Sequence, residues 1–215
     1  MNQVIKSARR IAVAAAITLA SASAFATPIN AIVNGGFDAP AQAPAGWTYL
    51  TGLYNGWTFS GGAYGNSGVA TNGSGFNVTG ATGQVALLRQ TGTMSQDFIL
   101  TQNKLSIAFT AESRNWAQGG NSIAVLIDGV ALVFAGATSV LPGSNSAFTQ
   151  YTSDFVSLAA GIHTLSFVGL GPEFQDHTTF IDNVVLTAVP EPVTLGLFGL
   201  GLVALGAVRR KAKQA

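Results

Sequence analysis

The stretch Ala124–Val133, AVLIDGVALV, predicts more about the fold than any other part of the 215-residue chain. Two apolar runs flank the dipeptide Asp128-Gly129, and both turn residues tolerate the positive φ angles that a two-residue hairpin turn requires. An Asp-Gly pair between apolar runs is the strongest local signal for a β-hairpin. The stretch therefore predicts two antiparallel strands joined by a tight turn.

The sequence around this stretch also predicts β-strands. Residues 104–110 alternate apolar and small polar side chains with a period of two, which is typical of a half-buried strand. Further strands are predicted at residues 85–89, 97–100, 155–158, 163–168 and 179–187. About eight short strands with Gly-rich turns and no long helical period predict an all-β chain folded as a jelly-roll β-sandwich. The glycine-rich residues 61–83 are expected to form a long surface loop.

Charge is segregated along the chain. Only 9% of the residues are charged, no cysteine is present, and the formal net charge is +1. Three basic residues lie in the first ten positions and four in the last seven. The region between them holds three basic and all nine acidic residues, a net charge of −6. Nucleic acid is not an expected partner because phosphate binding needs clustered Lys and Arg. Disulfides and thiolate chemistry are excluded.

Both ends of the chain carry targeting signals. A basic start up to Arg10, an apolar run over 11–20 and small residues up to Ala26 predict a signal peptide at 1–26. Residues 193–208 form an uncharged apolar run, predicted as a transmembrane helix, and the basic tail 209–215 follows it. The helix would span about 24 Å, which is short for a bilayer core of about 30 Å. The positive-inside rule places residues 27–188 across the membrane as an exported domain.

The tail resembles a known sorting signal. A Pro-Glu-Pro triplet, a short Gly-rich apolar helix and a basic cluster occur in that order over residues 189–215, and the residues concerned are Pro190, Glu191, Pro192, Arg209, Arg210 and Lys211. This order resembles the PEP-CTERM sorting signal of Gram-negative, exopolysaccharide-producing bacteria. The resemblance implies that an exosortase, a membrane-embedded cysteine protease, processes the segment and frees the ectodomain or transfers it to another anchor. A plain single-span anchor with a proline-rich flank would show the same local physics.

A second resemblance covers the exported domain. Four short motifs carry it, namely IVNGGFD at 32–38, GWT at 56–58, VLIDG at 125–129 and FIDNV at 180–184. Together they resemble the galactose-binding-like jelly rolls of many carbohydrate-binding modules and cell-wall proteins. The resemblance implies a binding module, often for sugars and often with a structural calcium between the first and last strands. The long spacing between the first two motifs leaves open whether Trp47 or Trp57 is the equivalent tryptophan.

Asp182 and Asp38 are the candidate metal ligands. Asp182 shares strand parity with Phe180, Val184 and Leu186, so its carboxylate needs a partner if that face is buried. The partner is either a hard cation shared with Asp38, since calcium takes carboxylate oxygens, or a set of backbone amides, or Arg114.

Glu112, Arg114 and Trp116 form the candidate ligand-binding cluster. They lie on the face opposite Leu105 and Ile107 if the strand continues to residue 116. An acid, a guanidinium and an indole on one face supply the stacking and paired hydrogen bonds that hold sugars. A solvent-facing Glu–Arg pair beside a packed tryptophan is the alternative.

Aromatic residues crowd positions 47–64, and Trp57 and Phe59 are expected in the core, with the tyrosines left as candidate contacts. Neither histidine lies in a catalytic motif, and no GxSxG, HExxH or GxxxxGK occurs in the chain. The sequence thus predicts a non-enzymatic, exported surface or extracellular-matrix protein with a glycan-binding-like sandwich. The alternatives are a structural or adhesive protein without a sugar site and a polysaccharide-processing enzyme.

Overall fold

The computed structural model describes residues 31–61, 66–115, 120–144, 147–172 and 175–188. The chain divides into two compact units, and all described residues belong to the unit Thr27–Ala188. The predicted signal peptide and the segment 189–215 lie outside the described residues.

The described residues contain thirteen β-strands. In chain order they are β1 (Trp47–Tyr49), β2 (Gly52–Tyr54), β3 (Trp57–Ser60), β4 (Asn66–Thr71), β5 (Gln84–Arg89), β6 (Thr93–Leu100), β7 (Lys104–Ser113), β8 (Ile123–Ile127), β9 (Val130–Ala131), β10 (Thr149–Thr152), β11 (Val156–Ser157), β12 (Gly161–Gly169) and β13 (Thr178–Ala188).

These strands form two antiparallel sheets. Sheet A has the order β1-β4-β5-β13-β7-β10, with β11 also paired to β7, and sheet B has the order β2-β3-β6-β12-β8-β9. From β5 onward the chain passes repeatedly between the sheets, since β5, β7 and β13 lie in sheet A whereas β6, β8 and β12 lie in sheet B. This alternation is the connectivity of a jelly roll, and it confirms the all-β sandwich predicted from the sequence.

The predicted hairpin lies at the edge of sheet B. β8 pairs with β9 through Ile127 and Val130, and the turn residues Asp128 and Gly129 have φ angles of 51° and 80°. Positive φ at both central positions is the signature of a type I′ turn, whose twist matches that of the flanking strands. The prediction of strands joined by a two-residue turn is confirmed.

The expectation of one long surface loop at 61–83 is wrong. Residues 66–71 form β4, which pairs with both β1 and β5. Gly68 has no room for a side chain, because a Cβ there would lie 2.0 Å from the carbonyl oxygen of Thr48. The glycine therefore allows close approach of two strands, which is a second reason for glycine in a sequence besides turn formation. Residues 72–81 then fold back over sheet A.

The main core fills the space between the sheets. Its largest fully buried members include Trp57, Phe109, Phe167 and Leu165. A second, smaller apolar cluster lies on the outer face of sheet A, where the segment 72–81 covers it. Its buried members are Ala70, Phe76, Val78, Ala81, Val85, Leu87 and Phe180. Sheet A is thus buried on both faces over part of its width.

A β-bulge in β13 changes which residues face the core. The pairing of β13 with β7 shifts register between Asp182 and Val185, and Asn183 has a φ of 52°. Phe180 therefore belongs to the outer cluster, whereas Val184 and Leu186 belong to the main core. The expected common parity of Asp182 with all three residues is wrong, because the extra residue of a bulge reverses the alternation.

The segment 31–38 is hydrogen-bonded to strands of both sheets. The side chain of Gln96 accepts a hydrogen bond from Val33 N at 2.6 Å and donates one to Val33 O at 2.9 Å. The indole Nε1 of Trp57 donates to Asn34 O at 3.1 Å. These contacts fix the first motif of the domain beside the bulge of the last strand, where Val184 N donates to the carbonyl of Gly35.

Candidate functional site

A cleft of about 340 Å³ opens on the outer face of sheet A. Its walls come from β1, from the segment 72–81 and from the ends of β5 and β7, and its main lining residues are Trp47, Tyr49, Phe76, Arg89, Arg114 and Asp176. The volume lies at the lower end of the range for small-molecule sites. We call this feature the aromatic cleft.

One wall of the aromatic cleft consists of three rings in mutual contact. Trp47 meets Tyr49 edge-on at 5.1 Å between centroids and meets Phe76 edge-on at 5.0 Å. Phe76 is buried, whereas Trp47 is 44% exposed. Edge-to-face packing holds the indole in place while much of its surface stays open to solvent. An exposed, rigidly held tryptophan is a suitable platform for a ligand with an apolar face.

The opposite wall is a cluster of three charged residues, Arg89, Asp176 and Arg114. Arg89 Nε donates to Asp176 Oδ1 at 2.9 Å, and Arg114 Nη1 donates to Asp176 Oδ2. The Arg114 side chain is only 8% exposed, and its Nη2 also donates to Gly75 O at 2.9 Å. Asp176 therefore connects two strands of sheet A, and we call the three residues the Arg–Asp–Arg cluster.

The aromatic and charged walls are also in contact with each other. The Arg114 guanidinium lies over the ring of Phe76, 4.7 Å from its centroid. Burial raises the pKa of the Tyr49 hydroxyl, and the nearby positive charge of Arg89 partly offsets this effect. Tyr49 is therefore a neutral hydrogen-bonding group at neutral pH. The cleft as a whole offers stacking surface, guanidinium donors and one carboxylate.

The structure describes two of the three residues of the predicted cluster, Glu112 and Arg114. β7 ends at Ser113, so the strand does not continue to residue 116 as the prediction required. Arg114 lines the aromatic cleft, whereas Glu112 is buried and accepts a hydrogen bond from Thr79 Oγ1 at 3.3 Å. Trp116 lies outside the described residues. The alternative of a solvent-facing Glu–Arg pair does not fit either residue, since both are buried.

The two candidate metal ligands are brought together from opposite ends of the domain. A Cβ placed on Gly36 would lie 3.3 Å from Asp38 Oδ2 and 3.8 Å from Asp182 Oδ1, so both carboxylates border the same small space. Asp182 is 7% exposed and accepts hydrogen bonds from the backbone and side-chain amides of Asn183. Burial, together with the nearby charge of Asp38, raises the pKa of Asp182 to about 6.

Arg114 is not the partner of Asp182. Among the described residues, the carboxylate that the Arg114 side chain contacts is that of Asp176. The described residues contain no group of three or more His, Cys, Asp or Glu side chains placed to hold a metal ion. A cation between Asp38 and Asp182 would need backbone carbonyls or water as its remaining ligands.

The other residues weighed for function have structural partners. Trp57 and Phe59 are buried, as expected. His163 bonds to Asp128 Oδ2 at 2.7 Å, and that contact raises the pKa of His163. His177 Nδ1 lies 2.9 Å from Gly120 O.

A second cleft of about 370 Å³ lies beside β10, near Tyr151 and Leu141, and none of the described residues that line it is charged. Of these two clefts, the aromatic cleft is the one whose described lining combines aromatic and charged side chains.

Three residues of the aromatic cleft are not predicted by the sequence pattern. Arg89 is recognisable only as the end of a strand, Asp176 as a loop residue and Phe76 as part of a glycine-rich stretch. Arg89 and Asp176 are 87 positions apart and meet because β5 and β13 are neighbours in sheet A. A signal was available in the clustered aromatics at 47–64, which include Trp47 and Tyr49.

With this geometry established, the chain can be compared with known proteins. Residues 188–211 match the PEP-CTERM protein-sorting motif. The match confirms the resemblance of the tail and indicates export and sorting of the chain. The matched residues include the Pro-Glu-Pro triplet and the basic cluster. Both lie outside the described residues, as does the predicted transmembrane helix. Within the described ranges, no helix has the length and apolar character needed to cross a bilayer.

No curated protein matches the chain. Among solved structures, TmCBM61 in complex with β-1,4-galactotriose is 15% identical, covering 73% of this chain and 97% of its own, with a TM-score of 0.49. A cyclase from Fischerella sp. TAU is 19% identical, covering 79% and 98%, with a TM-score of 0.48. The CBM22-1 xylan-binding domain from Paenibacillus barcinonensis Xyn10C is 11% identical, covering 70% and 99%, with a TM-score of 0.44.

Proposed function

We propose that the chain is an exported glycan-binding protein of the cell surface or extracellular matrix of a Gram-negative bacterium, delivered there by exosortase processing of its PEP-CTERM motif. The observation that carries the binding proposal is the half-exposed Trp47 facing the Arg–Asp–Arg cluster across a cleft. Sugars present C–H groups on one face of the ring and hydroxyl groups around its edge. An aromatic platform beside planar charged groups is complementary to both features.

The same cleft favours binding over catalysis. Hydrolysis of a glycosidic bond ordinarily requires two carboxyl groups at a set separation across the bond. Asp176 is the single carboxylate among the described residues that line the aromatic cleft, and both its oxygens already accept hydrogen bonds from arginine. We therefore propose that the protein holds a glycan without cleaving it.

A glycan array with the full chain in mild detergent tests this proposal. We expect binding that Trp47→Ala reduces about five- to thirtyfold, because loss of a stacking platform costs about 1–2 kcal/mol. The matched control is Tyr54→Ala, since Tyr54 is an exposed aromatic residue of sheet B and is 40% exposed. No binding to any glycan would favour a structural or adhesive role, and release of sugar from a bound polysaccharide would identify an enzyme.

We also propose a structural calcium ion between Asp38 and Asp182, which would join the first segment of the domain to its last strand. Two neighbouring carboxylates, one of them buried, fit a hard cation. Millimolar CaCl₂ should raise the melting temperature of the wild type but not that of Asp182→Asn or Asp38→Asn. The control Asp97→Asn, which changes a carboxylate on sheet B, should respond like the wild type. An equal response of all four proteins would refute the site.

Sorting can be tested in the native host. If exosortase processes the tail, mass spectrometry of the mature protein should detect peptides of the 27–188 domain and none from residue 193 onward. Intact chain accumulating in the inner membrane of a host that has an exosortase would contradict processing. This result would leave the glycan-binding proposal unaffected, because the residues named in the cleft belong to the domain and not to the tail.

A further inference from the structure

The Arg–Asp–Arg cluster uses only part of the hydrogen-bonding capacity of Arg89. Its Nε is bonded to Asp176, and its positive charge lies close enough to the hydroxyl of Tyr49 to lower the pKa of that group. The described residues provide no further carboxylate for Arg89, whose side chain is 27% exposed in the cleft. A guanidinium has five N–H donors, and the two terminal amino groups can hold a carboxylate through two parallel hydrogen bonds. Arg89 can thus donate a second pair of hydrogen bonds to another carboxylate.

The charged groups that line the cleft also favour an acidic ligand. Its described lining includes two guanidinium groups and one carboxylate, so most of the described charged groups that border the cleft are cationic. The rest of the domain is acidic, but charges more than about 8 Å away are largely screened at physiological ionic strength. The short-range interactions inside the cleft therefore decide which ligand is favoured.

From these observations we infer that the aromatic cleft binds acidic glycans, with the carboxylate of a hexuronate residue paired to Arg89 and its sugar ring stacked on Trp47. This inference rests on the proposed glycan-binding function and narrows it to one ligand class. Tyr49 is near both recognition elements, because its ring packs against Trp47 and its hydroxyl is close enough to Arg89 for that charge to lower its pKa. One uronate ring can thus contact both walls of the cleft at once.

In this arrangement Asp176 is a positioning residue. It holds Arg89 through Nε, and this bond does not use the pair of N–H groups at the end of the guanidinium, one on each terminal amino group. Arg114, buried and bonded to Asp176 and Gly75, keeps the carboxylate of Asp176 in place. A lysine in place of Arg89 would keep the charge but lose the paired geometry.

The test is calorimetric titration of the full chain in mild detergent with short oligosaccharides of galacturonate, glucuronate and mannuronate. Each is compared with its carboxyl-reduced counterpart, which keeps the linkages and ring hydroxyls but is neutral. We expect at least one acidic oligosaccharide to bind tenfold or more tightly than its reduced form, as a charge-assisted paired hydrogen bond implies. Arg89→Gln should remove this preference, and Arg89→Lys should retain only part of it.

The control Lys104→Gln removes one positive charge from the same sheet, outside the cleft, and should leave the preference unchanged. Thermal melting checks that each variant is folded. The affinities of the wild-type protein for the acidic and the carboxyl-reduced oligosaccharides can be compared without any variant. Equal affinity for the acidic and reduced forms would overturn the inference while leaving glycan binding intact. Binding of neither form, together with a silent glycan array, would overturn both.

Discussion

Asp176 provides the sharpest test of how the cleft is held together. Substituting it as Asp176→Asn removes the negative charge from between Arg89 and Arg114 with little change in shape. The Arg114 side chain is 8% exposed and the Asp176 side chain 30% exposed, so their ion pair is largely desolvated. Breaking a buried pair costs about 3–5 kcal/mol, and the partial exposure of Asp176 lowers this to about 2–3 kcal/mol.

The pair with Arg89 adds less, because the side chains of both partners are more than a quarter exposed. An ion pair of that kind contributes up to about 1 kcal/mol. The expected total loss in the free energy of unfolding is therefore about 3 kcal/mol. For a domain of this size such a loss lowers the melting temperature by roughly 6–12 °C.

Urea unfolding followed by tryptophan fluorescence measures this loss, since Trp57 is fully buried and reports on the core. The matched control is Asp154→Asn, which neutralises an exposed carboxylate and should change stability by less than about 0.5 kcal/mol. A double-mutant cycle with Arg114→Met should give a coupling energy above about 1 kcal/mol. A loss no larger than that of the control, or no coupling, would refute the role assigned to Asp176.

Three other substitutions test separate features of the domain. Gly68→Ala should displace β1 and weaken glycan binding with it, because the new Cβ would meet the carbonyl oxygen of Thr48 at 2.0 Å; unchanged affinity would contradict this packing. Trp57→Phe should cost about 2–3 kcal/mol in urea unfolding, since it leaves a small cavity and removes the indole hydrogen bond to Asn34 O, which keeps only its bond from Phe37 N. His163→Gln should cost about 0.5 kcal/mol near pH 5 and less near pH 8. The raised pKa of His163 makes its bond to Asp128 a stabilising interaction below the ordinary histidine value of 6.5, and this interaction is lost as the pH rises through the folded-state value. An equal cost at both pH values would argue against a charged pair.

The strand content of the domain was predictable where the sequence alternates cleanly or carries a turn signal. β7, β12 and the β8–β9 hairpin each show such a pattern, and each lies within a few residues of its predicted position. β4 could not be recognised from the sequence. Its Gly68 makes room for the backbone of β1, and the sequence does not show that β1 packs there. Glycine alone does not distinguish a crowded strand from a loop.

The site was less predictable than the fold for a related reason. Arg114 could be assigned to the outer face of a strand from parity alone. Its partner Asp176 is 62 positions away, and the two meet only because β13 lies between β5 and β7. The alternation of faces also gave a wrong prediction beyond Asp182, because a bulge follows that residue. Asn183 was a sequence signal for this bulge, since asparagine adopts positive φ more readily than most residues. Contacts that depend on sheet order require coordinates.

The last strand of the domain lies in the middle of sheet A rather than at its edge. β13 is hydrogen-bonded to β5 on one side and to β7 on the other, and it ends at Ala188, where the sorting motif begins. In the proposed surface-anchored form, a mechanical load from the C-terminal anchor would enter the domain through this strand. Such a force would pull two ladders of hydrogen bonds in shear, so many bonds would resist together instead of opening one at a time. The proposed glycan-binding domain would then stay folded under tension at its attachment point.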